Sequence, residues 1–197
     1  MNIACCVFAS HNPGKAREVS LVLAEFDIHC VTVAELEAQK GPAPKPEEAA
    51  GTYEGNARIK AEAFFKWCQL PSLADDAGLE VAALQGEPGV DSAVYAGPEA
   101  DSQANIDKLL SSLKGCTHRE ARFVSQLYLK TEHGVYLERA FLEGRIIEQM
   151  RGQGGFGYDS VFVPRGESLT LAEIKTARGE GYATHRVKAL RAMFSKK

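Results

Sequence analysis

Residues 3–9 are a short, continuously apolar run, and the polar residues 10–15 hand it on to a segment whose Val19, Val22, Leu23 and Phe26 share one helical stripe. A run apolar on both faces predicts a strand buried from both sides, which needs helices to cover it. The rest of the chain repeats the alternation. Further strands are expected at 30–33, 123–129, 135–142 and 160–163, with a hairpin turn at His133-Gly134. Helices are expected from the N-cap Thr52 to about residue 68, over 102–113 through Ile106, Leu109, Leu110 and Leu113, and at the end around Val187, Leu190 and Phe194. Residues 40–48, with Pro42, Pro44 and Pro46, read as an irregular connection. Neither a composition break nor a repeat divides the chain, so the reading is one α/β or α+β domain over residues 1–197 with a mixed sheet.

Bulk composition narrows the function classes. At 197 residues, 45% hydrophobic and 25% charged, the chain can bury a proper core. A net charge of −3 argues against nucleic-acid binding, which needs a concentrated basic face, but leaves room for small anionic ligands. Five cysteines without a C-x-x-C pair, with Cys5, Cys6 and Cys30 in apolar runs, suggest neither a disulfide framework nor a zinc site. The start lacks a basic n-region and no apolar stretch reaches membrane-spanning length, so a cytoplasmic address without membrane contact is expected.

Leu73-Ala74-Asp75-Asp76-Ala77-Gly78-Leu79 carries the strongest chemical signal. It reads as a short strand, 72–74, turning at the acid pair and Gly78 to pair with 80–84. Adjacent carboxylates repel unless a cation is near, and a hard divalent ion shared with phosphates answers that need. Ser10-His11-Asn12-Pro13-Gly14-Lys15 joins the first strand to the first helix. Free N–H groups at such a helix start attract anions, Ser10 and Asn12 add side-chain hydrogen bonds, and Lys15 adds a point charge. Ala9 and Ala16 stand where a Walker A loop needs Gly and Ser or Thr, and a capped turn with a solvated lysine is the competing reading. Asn56 and Lys60, four apart, share a helix face, which makes Lys60 a second phosphate candidate.

Residues 151–159 contain a formal G-x-G-x-x-G, but the strand expected at 160–163 takes the place of the helix a dinucleotide fingerprint needs. Glycines there would let backbone approach a flat ligand, Phe156 and Tyr158 offer rings, and Asp159 accepts base N–H donors. Thr184-His185-Arg186 opens the last helix with a cationic, hydrogen-bonding pair.

In order along nearly the whole chain, these segments resemble the inosine/xanthosine triphosphate pyrophosphatase family. The matching pieces include 10–15, Glu47-Glu48, Thr52-Tyr53, Asn56 with Lys60, Ala74-Asp75-Asp76, Pro88-Gly89-Val90, Glu143-Gly144-Arg145-Ile146, 154–159 and His185-Arg186. The resemblance implies two lobes around a long twisted mixed sheet, an active-site cleft between them, a homodimer, and Mg²⁺-dependent hydrolysis of ITP, dITP or XTP to the monophosphate and pyrophosphate. Carried over by position, Asp76 is the general base and a metal ligand, Asp75 its support, and Glu48 the second metal carboxylate. Ser10, His11, Asn12, Pro13, Gly14, Lys15, Lys60 and Ala77 would face the phosphates. Phe156 would stack on the base, with Gly157, Tyr158, Asp159, His185 and Arg186 around its edge.

Four positions depart from the family pattern: Ala77 for Ser, Gly55 for Glu, Val94 for Arg, and Glu180 for Lys. Lys175 or Arg178 could replace that last cation from the loop expected before His185. Ala77, Val94 and Glu180 keep open the same reaction on a pyrimidine or modified nucleotide, and a nucleotide sensor without turnover is the alternative from another class.

Overall fold

The computed structural model describes residues 3–99 and 101–195. The side chain of Glu180 lies outside the described part, and so does the consequence of losing the family Lys there. Among the described residues, seven strands form one mixed sheet: β1 (Cys5–Phe8), β2 (His29–Val31), β3 (Ser72–Val81), β4 (Pro88–Gly89), β5 (Glu120–Thr131), β6 (Gly134–Ile146) and β7 (Phe162–Pro164). Their order is β2-β1-β3-β5-β6-β7, with β4 antiparallel to β3. Six α-helices accompany them: α1 (Pro13–Ala24), α2 (Val33–Lys40), α3 (Tyr53–Cys68), α4 (Ser102–Ser112), α5 (Leu171–Arg178) and α6 (His185–Ser195). None is long and apolar enough to cross a membrane. The chain divides into two compact units, 1–76 with 125–140 and 186–197, and 77–124 with 141–185.

In the first unit β1 is flanked in parallel by β2 and β3, with Val7 opposite both Val31 and Ser72. Burial on both faces explains its unbroken apolar sequence. The core joins Val7 and Ala9 to Ala57, Ala61 and Phe64 of α3 and to Tyr128 of β5. Because Phe8 pairs with Leu73, two further residues along each strand bring the turn after β1 level with Asp75. Loops at the carboxyl ends of parallel strands that diverge to opposite sides are where α/β folds bind ligands.

In the second unit Leu79, Ile106, Leu109, Phe123, Ile146, Tyr158 and Phe162 build the core, so the apolar stripe of α4 packs as its periodicity predicts. Gly144 lies where β6 pairs with β7, and a Cβ there would come 2.4 Å from the Val163 carbonyl oxygen and 2.5 Å from the Phe162 ring.

Several expectations need correction. Asp75, Asp76, Ala77 and Gly78 are not a turn, because β3 runs straight through them to Val81. In an extended strand successive side chains point to opposite faces, so the two carboxylates never meet and no turn is needed to relieve them. Residues 82–84 leave the strand for a 3₁₀ turn. Pro13, Gly14 and Lys15 already belong to α1, which Asn12 caps. The second strand stops at Val31, because Thr32 and Glu35 form a capping box that starts α2. A second capping box, Thr170 with Glu173, starts α5, so Lys175 and Arg178 stand on a helix rather than in a loop. Ser160 ends a 3₁₀ turn, and the late strand begins at Phe162.

Gly144→Ala should therefore lower stability by about 1–3 kcal/mol, the usual cost of forcing a group into a packed interior. Chemical denaturation checks this, and an unchanged midpoint would mean that β7 can move away freely.

Candidate active site

Three elements of the first unit converge on Asp75 of β3, which has almost no exposed surface. Its Oδ1 accepts from Ser125 Oγ of β5 at 2.5 Å. Its Oδ2 accepts from Arg186 Nε of α6 at 2.8 Å and lies 3.1 Å from Lys15 Nζ of α1. The other side of the Arg186 guanidinium pairs with Glu18, one turn beyond Lys15 and equally buried. With both oxygens engaged, Asp75 holds cations in place and is not available as a base. Burial pushes the Lys15 ammonium below its ordinary value; Asp75 opposes this, and the nearby Arg186 and Lys60 add to it. A partly desolvated cation of this kind gains strongly from an arriving anion.

Asp76, on the opposite face of β3, meets a different set. Its Oδ1 accepts from Lys60 Nζ at 2.9 Å, and the same ammonium lies 2.6 Å from Glu48 Oε2 and donates to the Asp75 carbonyl at 3.1 Å. Burial alone would lower the Lys60 pKa, but Asp76 and Glu48 outweigh it and raise the value. Asp76 Oδ2 is buried and has no hydrogen-bond partner among the described residues. Burial pushes the Asp76 carboxyl up to about 6 even though Lys60 and Lys15 pull it down, and Glu48 adds to the rise.

The charge count within this group leans negative. Lys15, Lys60 and Arg186 face Glu18, Glu48, Asp75 and Asp76, three cations against four carboxylates. An uncommitted buried carboxylate oxygen in such a cluster fits a small divalent cation. No cage of three or more acidic, His or Cys ligands exists among the described residues. Mg²⁺ does not require one, since it takes one or two carboxylates and completes its shell with water and phosphate.

The turn before α1 is built by its own polar groups. Ser10 Oγ accepts from the Asn12 N–H at 3.2 Å, and Asn12 Oδ1 accepts from the Lys15 N–H at 3.0 Å. His11 is exposed, edge-on to Phe64 at 6.1 Å. Ser10, His11, Asn12 and Pro13, together with Cys30 and Glu37, line a cavity of about 310 Å³ on the α2 side. Asn56 is buried and accepts from the Ala50 N–H at 3.0 Å, which ties the segment after Glu48 to α3. A Cβ at Gly55 would meet the Ala50 Cβ at 2.4 Å, so the absence of the family Glu accompanies close packing of that segment. Ala77 is half-buried and follows Asp76 on the alternate face.

The second unit gathers the aromatic segment. Asp159 Oδ2 accepts from the Phe156 N–H at 3.0 Å and from Lys175 Nζ of α5 at 3.0 Å. Lys175 Nζ also lies 4.8 Å from the centre of the Phe156 ring, and that ring remains 37% exposed. Lys175 is therefore the cation at this aspartate, whereas Arg178 pairs with Glu167 at 2.8 Å on the surface.

Three residues expected around a base have partners of their own within the fold. Tyr158 is buried, its hydroxyl donating to the Ser92 carbonyl at 2.8 Å, so it holds the turn. His185 stacks on Phe123 at 4.9 Å. Arg186, next in sequence, is buried and pairs with Asp75 and Glu18 in the acid cluster. The glycines, too, serve packing. Cβ atoms at Gly152 and Gly154 would strike α5, and Gly157 uses a positive φ of 57° to open the 3₁₀ turn.

Sequence reasoning passed over Glu18 and Ser125. Glu18 carried a signal, since a carboxylate beside Val19 on the buried stripe and three residues from Lys15 requires a partner. Ser125, inside an apolar strand, carried none.

With divalent ions chelated, the raised Asp76 pKa has a stability consequence. The folded chain holds this proton up to about 6, against about 3.9 when unfolded, so stability is lost as pH rises through that window. The Tm of Asp76→Asn should fall less than that of the wild type between pH 4 and pH 7 in the presence of a chelator. Parallel curves would show that Asp76 ionises as it does in the unfolded chain.

The Ham1 family matches residues 6–196. A Deinococcus deserti protein named dITP/XTP pyrophosphatase is 43% identical, covering 95% of this chain and 86% of its own length. The Bacillus subtilis protein of the same name is 39% identical over 95% of this chain and 93% of its own length. Among solved structures, a HAM1 protein from Coxiella burnetii superimposes with a TM-score of 0.84 at 33% identity, covering 98% of each chain. The Staphylococcus aureus Ham1 protein gives 0.82 at 33% identity, covering 97% of this chain and 96% of its own. With this match over nearly its whole length and this fold, the chain belongs to the Ham1 family.

Proposed function

We propose that this chain hydrolyses deaminated purine nucleoside triphosphates, namely ITP, dITP and XTP, to the monophosphate and pyrophosphate with Mg²⁺, and acts as a cytoplasmic homodimer. The observation that carries the reading is the uncommitted, buried Asp76 Oδ2, on a carboxylate paired with Lys60, in a cluster with one carboxylate in excess. The dITP/XTP pyrophosphatases among its relatives support the substrate class. Two weaker observations support the remainder. Val135 and Leu137 are exposed apolar residues on one face of β6, with Tyr136 exposed on the other, apolar area that a second copy would cover, and all five cysteines are free thiols, the state a reducing compartment maintains.

The chemistry follows from the residues. A water oxygen adds to the α-phosphorus, the bond from that phosphorus to the bridging oxygen breaks, and pyrophosphate leaves with that oxygen. Asp76 Oδ2 takes the water proton; a carboxyl with a pKa near 6 is ionised at neutral pH yet basic enough to accept it. Lys15 attracts the polyphosphate, and Asp75, clamped by Arg186 and Ser125, holds Lys15 where it is. Mg²⁺, held by Glu48 and Asp76 with phosphate and water oxygens, would neutralise charge on the phosphates and the departing pyrophosphate. Phe156 offers the exposed ring for the base, and Asp159 with Lys175 offers polar groups for its edge.

Purified protein with Mg²⁺ should release pyrophosphate from ITP, dITP and XTP much faster than from ATP, and silence on all of them would end this reading. Asp76→Asn should lower kcat by about 10²–10⁴-fold while calorimetry still detects nucleotide binding. Phe156→Ala should raise KM more than it lowers kcat, the mark of lost binding and not of lost chemistry.

A further inference from the structure

Two of the cysteines stand opposite each other in the first strand pairing. β1 and β2 run parallel, and their register sets Cys6 against Cys30. Partners in register project from the same face of a sheet, and neighbouring strands lie about 4.7–4.9 Å apart. That spacing falls inside the roughly 4.4–6.8 Å Cα separation over which two cysteines can be bridged. Cys5 pairs with His29 and, one residue earlier, projects from the other face. Cys6 is fully buried, whereas Cys30 is half-buried and lines the cavity of about 310 Å³ beside Ser10, His11 and Asn12. One thiol of the pair is open to a small molecule, and the other is sealed behind it. Burial pushes both thiols up, but at Cys30 the Ser20 hydroxyl and the Phe8 N–H oppose it, while at Cys6 the neighbouring cysteines add to it. Cys30 is therefore the more easily ionised and the first to react.

We propose that Cys30 and Cys6 form a dithiol modification site for low-molecular-weight disulfides, with Cys30 as the attacking thiol and Cys6 as the resolving one. The Cys30 thiolate attacks one sulfur of the reagent from the cavity. The reagent's S–S bond breaks, and its other half leaves as a thiolate that takes up the proton Cys30 released. Cys6 then attacks Cys30 Sγ and expels the second half, which takes up the Cys6 proton. One reagent disulfide is reduced to two thiols, and two cysteines are oxidised to one bridge between β1 and β2, so no other oxidant is required. The adduct formed first occupies the cavity beside the turn before α1, because Cys30 is the cysteine in its lining. Closing the bridge must draw together β-carbons that parallel strands hold about 4.8 Å apart, toward the roughly 3.5–4.5 Å that a relaxed disulfide prefers. A bridge under that tension is readily reopened by thiols, which makes the modification reversible.

Oxidised glutathione is the probe. The folded chain is incubated with it, quenched in acid, unfolded, alkylated with N-ethylmaleimide and digested for mass spectrometry. Without glutathione all five cysteines should carry maleimide. After treatment Cys6 and Cys30 should both lose the label and return as one joined pair of peptides, and excess dithiothreitol should restore both labels. Cys5→Ser should bridge as the wild type does. In Cys6→Ala the second step is blocked, and Cys30 should retain one glutathione. The same reagent acting on the chain unfolded in urea should scatter bonds among all five cysteines, since the pairing is a product of the fold. The proposal is overturned if Cys6 and Cys30 keep their label, if Cys30 of the wild type retains glutathione without bridging, if Cys30 joins Cys5 instead, or if the folded chain shows the scatter of the unfolded one. The wild-type digest decides among these outcomes, so a Cys6→Ala chain that fails to fold does not protect the proposal.

Discussion

A carboxylate without solvent, Asp75, is the constraint around which the first unit is organised. Taking such a charge out of water is costly unless partners replace the lost hydration, and here Ser125, Arg186 and Lys15 do so from three different elements. Arg186 is itself fully buried and is balanced by Glu18. Removing one partner of such a pair typically costs about 3–5 kcal/mol, because the other charge is stranded. Residues 111 positions apart are thereby locked together, and Lys15 is fixed beside the acids as a by-product of folding.

The pleat of β3 separates two tasks that adjacent residues perform. Asp75 points into the saturated network, while Asp76 points to the other face and keeps one oxygen uncommitted. Had the two acids shared a face, mutual repulsion would have raised both pKa values. Instead one is neutralised by its surroundings, and the other is left partly desolvated with a pKa near the working range of a base. Lys60 spends its three N–H donors on Glu48, Asp76 and the Asp75 carbonyl, so it braces the two carboxylates that a metal would share. The second unit repeats the logic on a smaller scale. There Asp159 and Lys175 satisfy each other against an aromatic ring, and glycine is required where they approach the backbone.

Much of this was legible along the chain. The apolar run of β1, the stripe of α4 and the Thr52 cap of α3 are local patterns, and they fold as their periodicity and capping chemistry demand. The acids Glu48 and Asp76 and the lysines at 15 and 60 do assemble into one group. The two capping boxes were equally local and could have been read at Thr32 and Thr170, which would have put Lys175 on a helix from the start.

Sequence alone determined which segments become strands and helices in most of the chain and which residues carry charge suited to phosphate and metal, because those properties depend on neighbours a few positions away. Only the tertiary structure decided what each charged side chain faces. The strand through Asp75-Asp76, the burial of Arg186 with Glu18, the inward turn of Tyr158 and the choice of Lys175 over Arg178 all depend on partners distant in the chain. Those choices follow from the cost of leaving a buried polar group unpaired, and that cost is defined only when the chain has closed around it.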